Sequence, residues 1–62
     1  MDSNLNYLRG KIREMMNDLA DYVATGSALD WADYRHKVGV IEGLAKAERE
    51  LLDLAEKLKE QE

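Results

Sequence analysis

The chain contains no cysteine, no proline and no phenylalanine among its 62 residues. Without cysteine there is no disulfide framework, no thiolate nucleophile and no Cys-based zinc site, so a small core has no covalent or metal staple. Without proline, nothing forces a break in a long helix. No uninterrupted apolar run exceeds four residues, from Val38 to Ile41 with Gly39 counted, and no segment is therefore suited to span a bilayer. The amino-terminal stretch MDSNLNYLRG has neither the basic region nor the apolar core of a secretory signal. Basic blocks and basic patches interleaved with aromatics are missing too, and 13 acidic residues outnumber 9 basic ones for a net charge of −4. Phosphate neutralisation is then a poor basis for binding, and no nucleic-acid partner is expected.

What remains is a chain rich in Leu, Ala, Glu, Lys, Asp and Arg, the composition of long helices. Its fold class is expected to be all-α. A single domain of this length, residues 1–62, is near the limit at which one chain buries enough apolar surface to offset its conformational entropy. Association is therefore part of the expectation from the outset.

Leu5, Leu8, Ile12, Met15, Leu19 and Tyr22 are spaced 3-4-3-4-3, a coiled-coil-like heptad seam that predicts a helix over roughly 4–24. In this reading Met15 belongs to the seam and Met16 flanks it. Ser3, with Asp2 beside it, is the expected N-cap. The stretch ATGSALD ends the helix, with Gly26 suited to a left-handed closing position. Asp30 is the expected cap of a second helix over roughly 31–59, with Ser27 its rival. So short a connection favours an antiparallel helical hairpin.

The second helix carries three apolar rows: Trp31, Tyr34, Val38, Ile41, Ala45, Leu52 and Ala55; then Leu44, Leu51 and Leu58; then Val40, Gly43, Ala47 and Leu54. One short partner helix cannot cover three rows. At about 1.5 Å per residue the first helix should reach only to about Asp53, leaving Leu54, Ala55 and Leu58 without an intrachain partner. Glu42 with Lys46, and Asp53 with Lys57, are expected to form i,i+4 pairs on the solvent side.

Candidate chemistry is sparse. His36 is the only histidine, with Asp33 three residues before it, but positions 32 and 40 are Ala and Val. No third ligand stands at helical spacing, and a surface Asp–His contact is expected rather than a metal site. Paired acids such as Glu48 with Glu50, or Asp30 with Asp33, have no loop or partner to arrange them around a bond. No catalytic residue, cofactor site or small-molecule substrate is assigned. Glu48 lies close to the apolar stripe between Ala45 and Leu52, where such a residue is expected to reach water from the stripe's edge. The alternative is an ion pair with Arg9 or Arg13.

Trp31, Tyr34 and Tyr22 gather near the turn. The simpler expectation there is a mini-core that closes it, and the sharper one is a partner-facing anchor. In VGVIEGLAKAE, Gly39 and Gly43 are each worth about 1 kcal/mol less than alanine in a helix, and Ala47 extends their row. One of them, Gly43, could instead make room for a side chain of the first helix. The absence of Cβ atoms more generally allows a close backbone approach. The candidate interface is accordingly Trp31, Tyr34, Gly39, Val40, Gly43, Ala47, Leu51, Leu54 and Leu58, with a homo-oligomer (dimer) or a larger protein assembly as partner.

The run ATGSALDWADYRHKVGVIEGLAKAERELLDL resembles small uncharacterised helical-hairpin proteins of tailed bacteriophages. Thr25, Gly26, Trp31, Tyr34, Arg35, Gly39, Ile41, Gly43 and Leu44 carry the likeness, which covers about half the chain. The resemblance implies a phage origin, in the bacterial host cytoplasm or the virion. It implies a minor virion or assembly component acting through protein–protein contacts, or else a small regulator that binds a host protein. It transfers no active site.

Overall fold

A computed structural model describes residues 2–61; Met1 and Glu62 lie outside the described residues. The chain is an all-α antiparallel helical hairpin of two helices, α1 (Ser3–Ala24) and α2 (Trp31–Glu60), joined by residues 25–30. It measures 49 × 16 × 12 Å, little wider than the pair of helices themselves.

The start of α1 is capped by Asp2, not by Ser3. Its Oδ1 accepts from the backbone N–H of Asn4 at 2.7 Å and of Leu5 at 3.4 Å, while Ser3 is already the first helical residue. Aspartate suits this position better, because its charge also meets the positive end of the helix dipole. At the other end the Ser27 N–H donates to the Tyr22 carbonyl and the Gly26 N–H to the Val23 carbonyl, both at 3.1 Å. This is the Schellman closure, which requires a left-handed residue. Gly26 supplies it with φ +73°, and it alone among the described residues has positive φ. Asp30 caps α2, accepting from the Asp33 N–H at 2.8 Å.

The seam between the helices is narrower than the sequence suggests. Ile12 and Leu51 are the buried apolar side chains among the described residues, each worth roughly 2–3 kcal/mol on burial. Around them lie half-buried Leu5, Met16, Leu19 and Val23 of α1 and Val38, Ile41, Leu44, Leu52 and Ala55 of α2. Met16 therefore faces the seam, whereas Met15 and Leu8 are 46% and 48% exposed, the reverse of the expected order. Glu48 accounts for the shift. A buried carboxylate needs charged partners, and α1 is rolled so that Arg9 and Arg13 meet it; Leu8 and Met15 turn outward as a result.

The hairpin folds back tightly, with Tyr22 level with Asp33 only eleven residues on. Asp2 and Leu5 accordingly share a groove with Leu52, Ala55 and Leu58, so α1 reaches a few residues beyond Asp53. Ala55 is half-buried there, while Leu54 and Leu58 stay exposed. The expected Glu42–Lys46 and Asp53–Lys57 pairs are not formed. Among the described residues the one ion pair within a helix is Lys11–Glu14, at 3.4 Å. Exposed pairs of this kind contribute little in either case.

Candidate interaction surface

Glu48 departs most from expectation. Instead of reaching water at the edge of a stripe, it is 7% exposed in the middle of the seam. Arg13 grips it with two hydrogen bonds, Nε donating to Oε2 at 2.5 Å and Nη2 to Oε1 at 2.8 Å. Arg9 adds an ion pair, its Nε 3.5 Å from Oε2. The two-pronged geometry matches guanidinium to carboxylate and fixes their relative orientation. Arg13 and Glu48 are 35 residues apart in sequence, so the clamp sets the register of one helix on the other.

A second polar knot ties the turn. Asp33 Oδ2 accepts from the Tyr22 hydroxyl at 2.9 Å and from the Leu29 backbone N–H at 3.1 Å. The Leu29 and Tyr22 hydrogen bonds, helped by the positive charge of Lys37 and His36, hold the Asp33 carboxyl below its ordinary pKa despite some loss of solvent. The same bond to Asp33, with desolvation and the negative charge nearby, pushes the Tyr22 phenol above its ordinary pKa. Lys37 lies over the Tyr22 ring, 5.3 Å from its centroid. His36 is exposed, and Asp33 is engaged by Tyr22 and Leu29. Among the described residues no group of three or more His, Asp or Glu side chains is placed to hold a metal ion, and no helix is long and apolar enough to cross a membrane.

The expected mini-core at the turn does not form. Trp31 is 71% exposed and stacks outside the hairpin on Tyr34, with ring centroids 5.3 Å apart and planes at 20°. The Arg35 guanidinium lies over the Trp31 ring as well, 6.0 Å from its centroid. At about 100° per residue, Trp31 sits about 100° around α2 from Glu48, too far to point at α1. Leu29, in the turn, is 86% exposed.

The same angular argument sorts the rest of the candidate interface. Val40, Ala47, Leu54 and Leu58 lie about 80–120° from Glu48 on the side opposite Trp31, and all four are exposed. Gly43 is on that side too, further from the seam, while Gly39 faces about 180° from Glu48. Leu51 is buried in the seam. A Cβ built on Gly39 or Gly43 would meet nothing within 4 Å, so Gly43 does not make room for a side chain of α1. The nine residues thus divide between an aromatic patch, an apolar row, the seam and the back of α2.

Two residues complete the apolar row and were assigned to the wrong place by periodicity. Leu8 and Met15 turn towards the same side of the hairpin as Val40 and Leu54. They stand on the side of α1 away from Arg13, as Val40 and Leu54 stand on the side of α2 away from Trp31. The signal was present in the sequence: Leu8 and Met15 form one row and Leu5, Ile12 and Met16 another, but both fit a heptad. One broad side of the hairpin is therefore apolar, and the other carries the Arg–Glu clamp and the stacked aromatics. In comparison with known proteins, no family model matches the chain, and neither a curated protein nor a solved structure matches it.

Proposed function

We propose that the chain is a non-enzymatic helical interaction module whose apolar side is a docking surface for another protein. The observation that carries this reading is the row Leu8, Met15, Val40, Ala47, Leu54 and Leu58, apolar side chains left outside the seam of a folded hairpin, all but Ala47 of them large. Scattered apolar residues on a surface need no explanation, but a contiguous side of this kind marks an interface. In keeping with the resemblance to phage helical hairpins, the proposed setting is a minor virion or assembly component. A second reading, a small regulator of a host protein, draws on the stacked Trp31 and Tyr34: aromatic anchors displayed near the turn suit insertion into a pocket.

Mass spectrometry of purified virions, set beside capture from host lysate with the wild-type chain and a Leu54→Glu variant, tests the proposal. Presence in virions at a fixed stoichiometry supports an assembly role. Capture of one host protein that survives Leu54→Glu but is lost in Trp31→Ala moves the function to the aromatic patch. Binding to neither, with a monomer in solution, would overturn the module reading.

A further inference from the structure

We infer that the hairpin has two packings of α1 against α2, related by a roll of α1 about its own axis, and that the charge on Glu48 selects between them. Charged Glu48 holds the packing that leaves Leu8 and Met15 in solvent. Neutral Glu48 lets them turn into the seam.

Angular positions on α1 define the two packings. With Ile12 taken as the centre, Leu5 and Leu19 lie within about 20° of it and stay in the seam in either case. Met16 lies about 40° to one side, the side that also carries Arg9 and Arg13 at about 60° and 100°; Leu8 and Met15 lie about 40° and 60° to the other. A roll of about 50° therefore moves Met16 to the edge and brings Leu8 and Met15 in. The second seam is the 3-4-3-4-3 row of Leu5, Leu8, Ile12, Met15, Leu19 and Tyr22. The same roll carries Arg13 and Arg9 away from Glu48.

Apolar packing does not hold the first state. Leu8 and Met15 together offer more apolar side chain than Met16 alone, and among the described residues no large side chain is completely buried. Nothing interlocks α1 at one rotation. What holds it is the pair of hydrogen bonds from Arg13 and the ion pair with Arg9. Rolling α1 while Glu48 is charged would strand a carboxylate that is 7% exposed, and a buried charge without partners is strongly unfavourable. A neutral side chain removes that cost, and the larger apolar row then closes the seam. Discrete shifts of one helix against another are an established way for a packed interface to hold two states.

A proton is the natural means of neutralising the site. Glu48 faces Arg9 and Arg13 of α1, and Arg49 and Asp53 lie beside it on α2. In the second packing α1 withdraws its share of the apolar side, Leu8 and Met15, from solvent. That this would regulate docking rests on the interaction-module reading; the roll itself does not.

Met15 and Met16 report the rotation without any added label. Hydrogen peroxide transfers one oxygen atom to an accessible thioether, giving the sulfoxide and water, and fragment-ion mass spectrometry at low conversion separates the two positions. In the wild type Met15, 46% exposed, is expected to oxidise several-fold faster than half-buried Met16. In Glu48→Leu, with helical content checked by circular dichroism, the order is expected to reverse. Acidifying the wild type should reverse it as well, while Glu48→Leu keeps its reversed order at both pH values. An unchanged order in Glu48→Leu overturns the inference, and so do equal rates, which would show α1 loosened instead of repacked. A wild type that keeps its order in acid overturns the proton as selector. Each of these failures leaves the virion and lysate experiments to decide the module reading separately.

Discussion

Replacing Glu48 with glutamine keeps the side chain's volume and one acceptor but removes the charge that Arg13 and Arg9 grip. Two unit charges about 4 Å apart attract by about 4 kcal/mol at an effective dielectric constant of 20. Against that stand the desolvation of Glu48 and the ordering of the long Arg13 side chain. The side chains of Arg13 and Arg9 are 53% and 39% exposed, so both rehydrate when the carboxylate is gone. The net loss therefore lies between that of a surface pair, up to about 1 kcal/mol, and that of a broken buried pair, about 3–5 kcal/mol. We expect Glu48→Gln to cost about 1.5 kcal/mol. Glu48→Leu should cost less than Glu48→Ala, because an apolar side chain fits between Ile41, Leu44, Leu51 and Leu52 and needs no partner. Urea unfolding followed at 222 nm, at one fixed protomer concentration, measures each change. The cycle of Arg13→Ala with Glu48→Gln isolates the coupling. Additivity within about 0.3–0.5 kcal/mol would refute the claim that the clamp holds the register.

Three further outcomes are expected. Gly39→Ala and Gly10→Ala each add a Cβ that meets nothing within 4 Å, and each should stabilise the hairpin by about 0.5–1 kcal/mol through helix propensity; loss of stability in thermal melts would show that those faces are covered. Gly26→Ala forces a Cβ into φ +73° and should cost about 1–2 kcal/mol, read in the same melts. Asp33 has a lowered folded pKa, so its contribution is present above its unfolded value near 3.8 and disappears as pH falls through the folded value. Tyr22 has a raised folded pKa, so its contribution is complete below its unfolded value of 10.0 and is lost as pH rises through the folded one. Absorbance at 295 nm should show Tyr22 ionising at higher pH in the wild type than in Asp33→Asn, which should also flatten the acid limb of stability.

Local signals in this chain are read well because they act over a few residues. The 3-4 spacing of apolar residues, Gly26 after Ala24, and Asp30 three residues before Asp33 each specify a helix, its end or its start through contacts no more than a turn away. Ser3 lost the cap to Asp2 because two adjacent side chains competed for the same N–H groups, and periodicity does not rank them. The Glu42–Lys46 and Asp53–Lys57 spacings permit pairs that solvent competes away.

Rotation of the helices about their axes is a different matter. Leu8 with Met15, and Met16 with Leu5, both fit a heptad, and nothing within α1 chooses between them. The choice comes from Glu48, 35 residues from Arg13. Once that carboxylate is buried, its need for Arg13 and Arg9 turns α1, and this decides which apolar residues close the seam and which are left outside. Along α2 itself, helix geometry alone sets Trp31 on the side opposite Val40 and Leu54. The amino-acid sequence alone thus determined two helices, their ends and the turn between them, since each depends on neighbours along the chain. Only the tertiary structure decided which side of the hairpin is apolar, because that follows from pairing a buried charge across the seam.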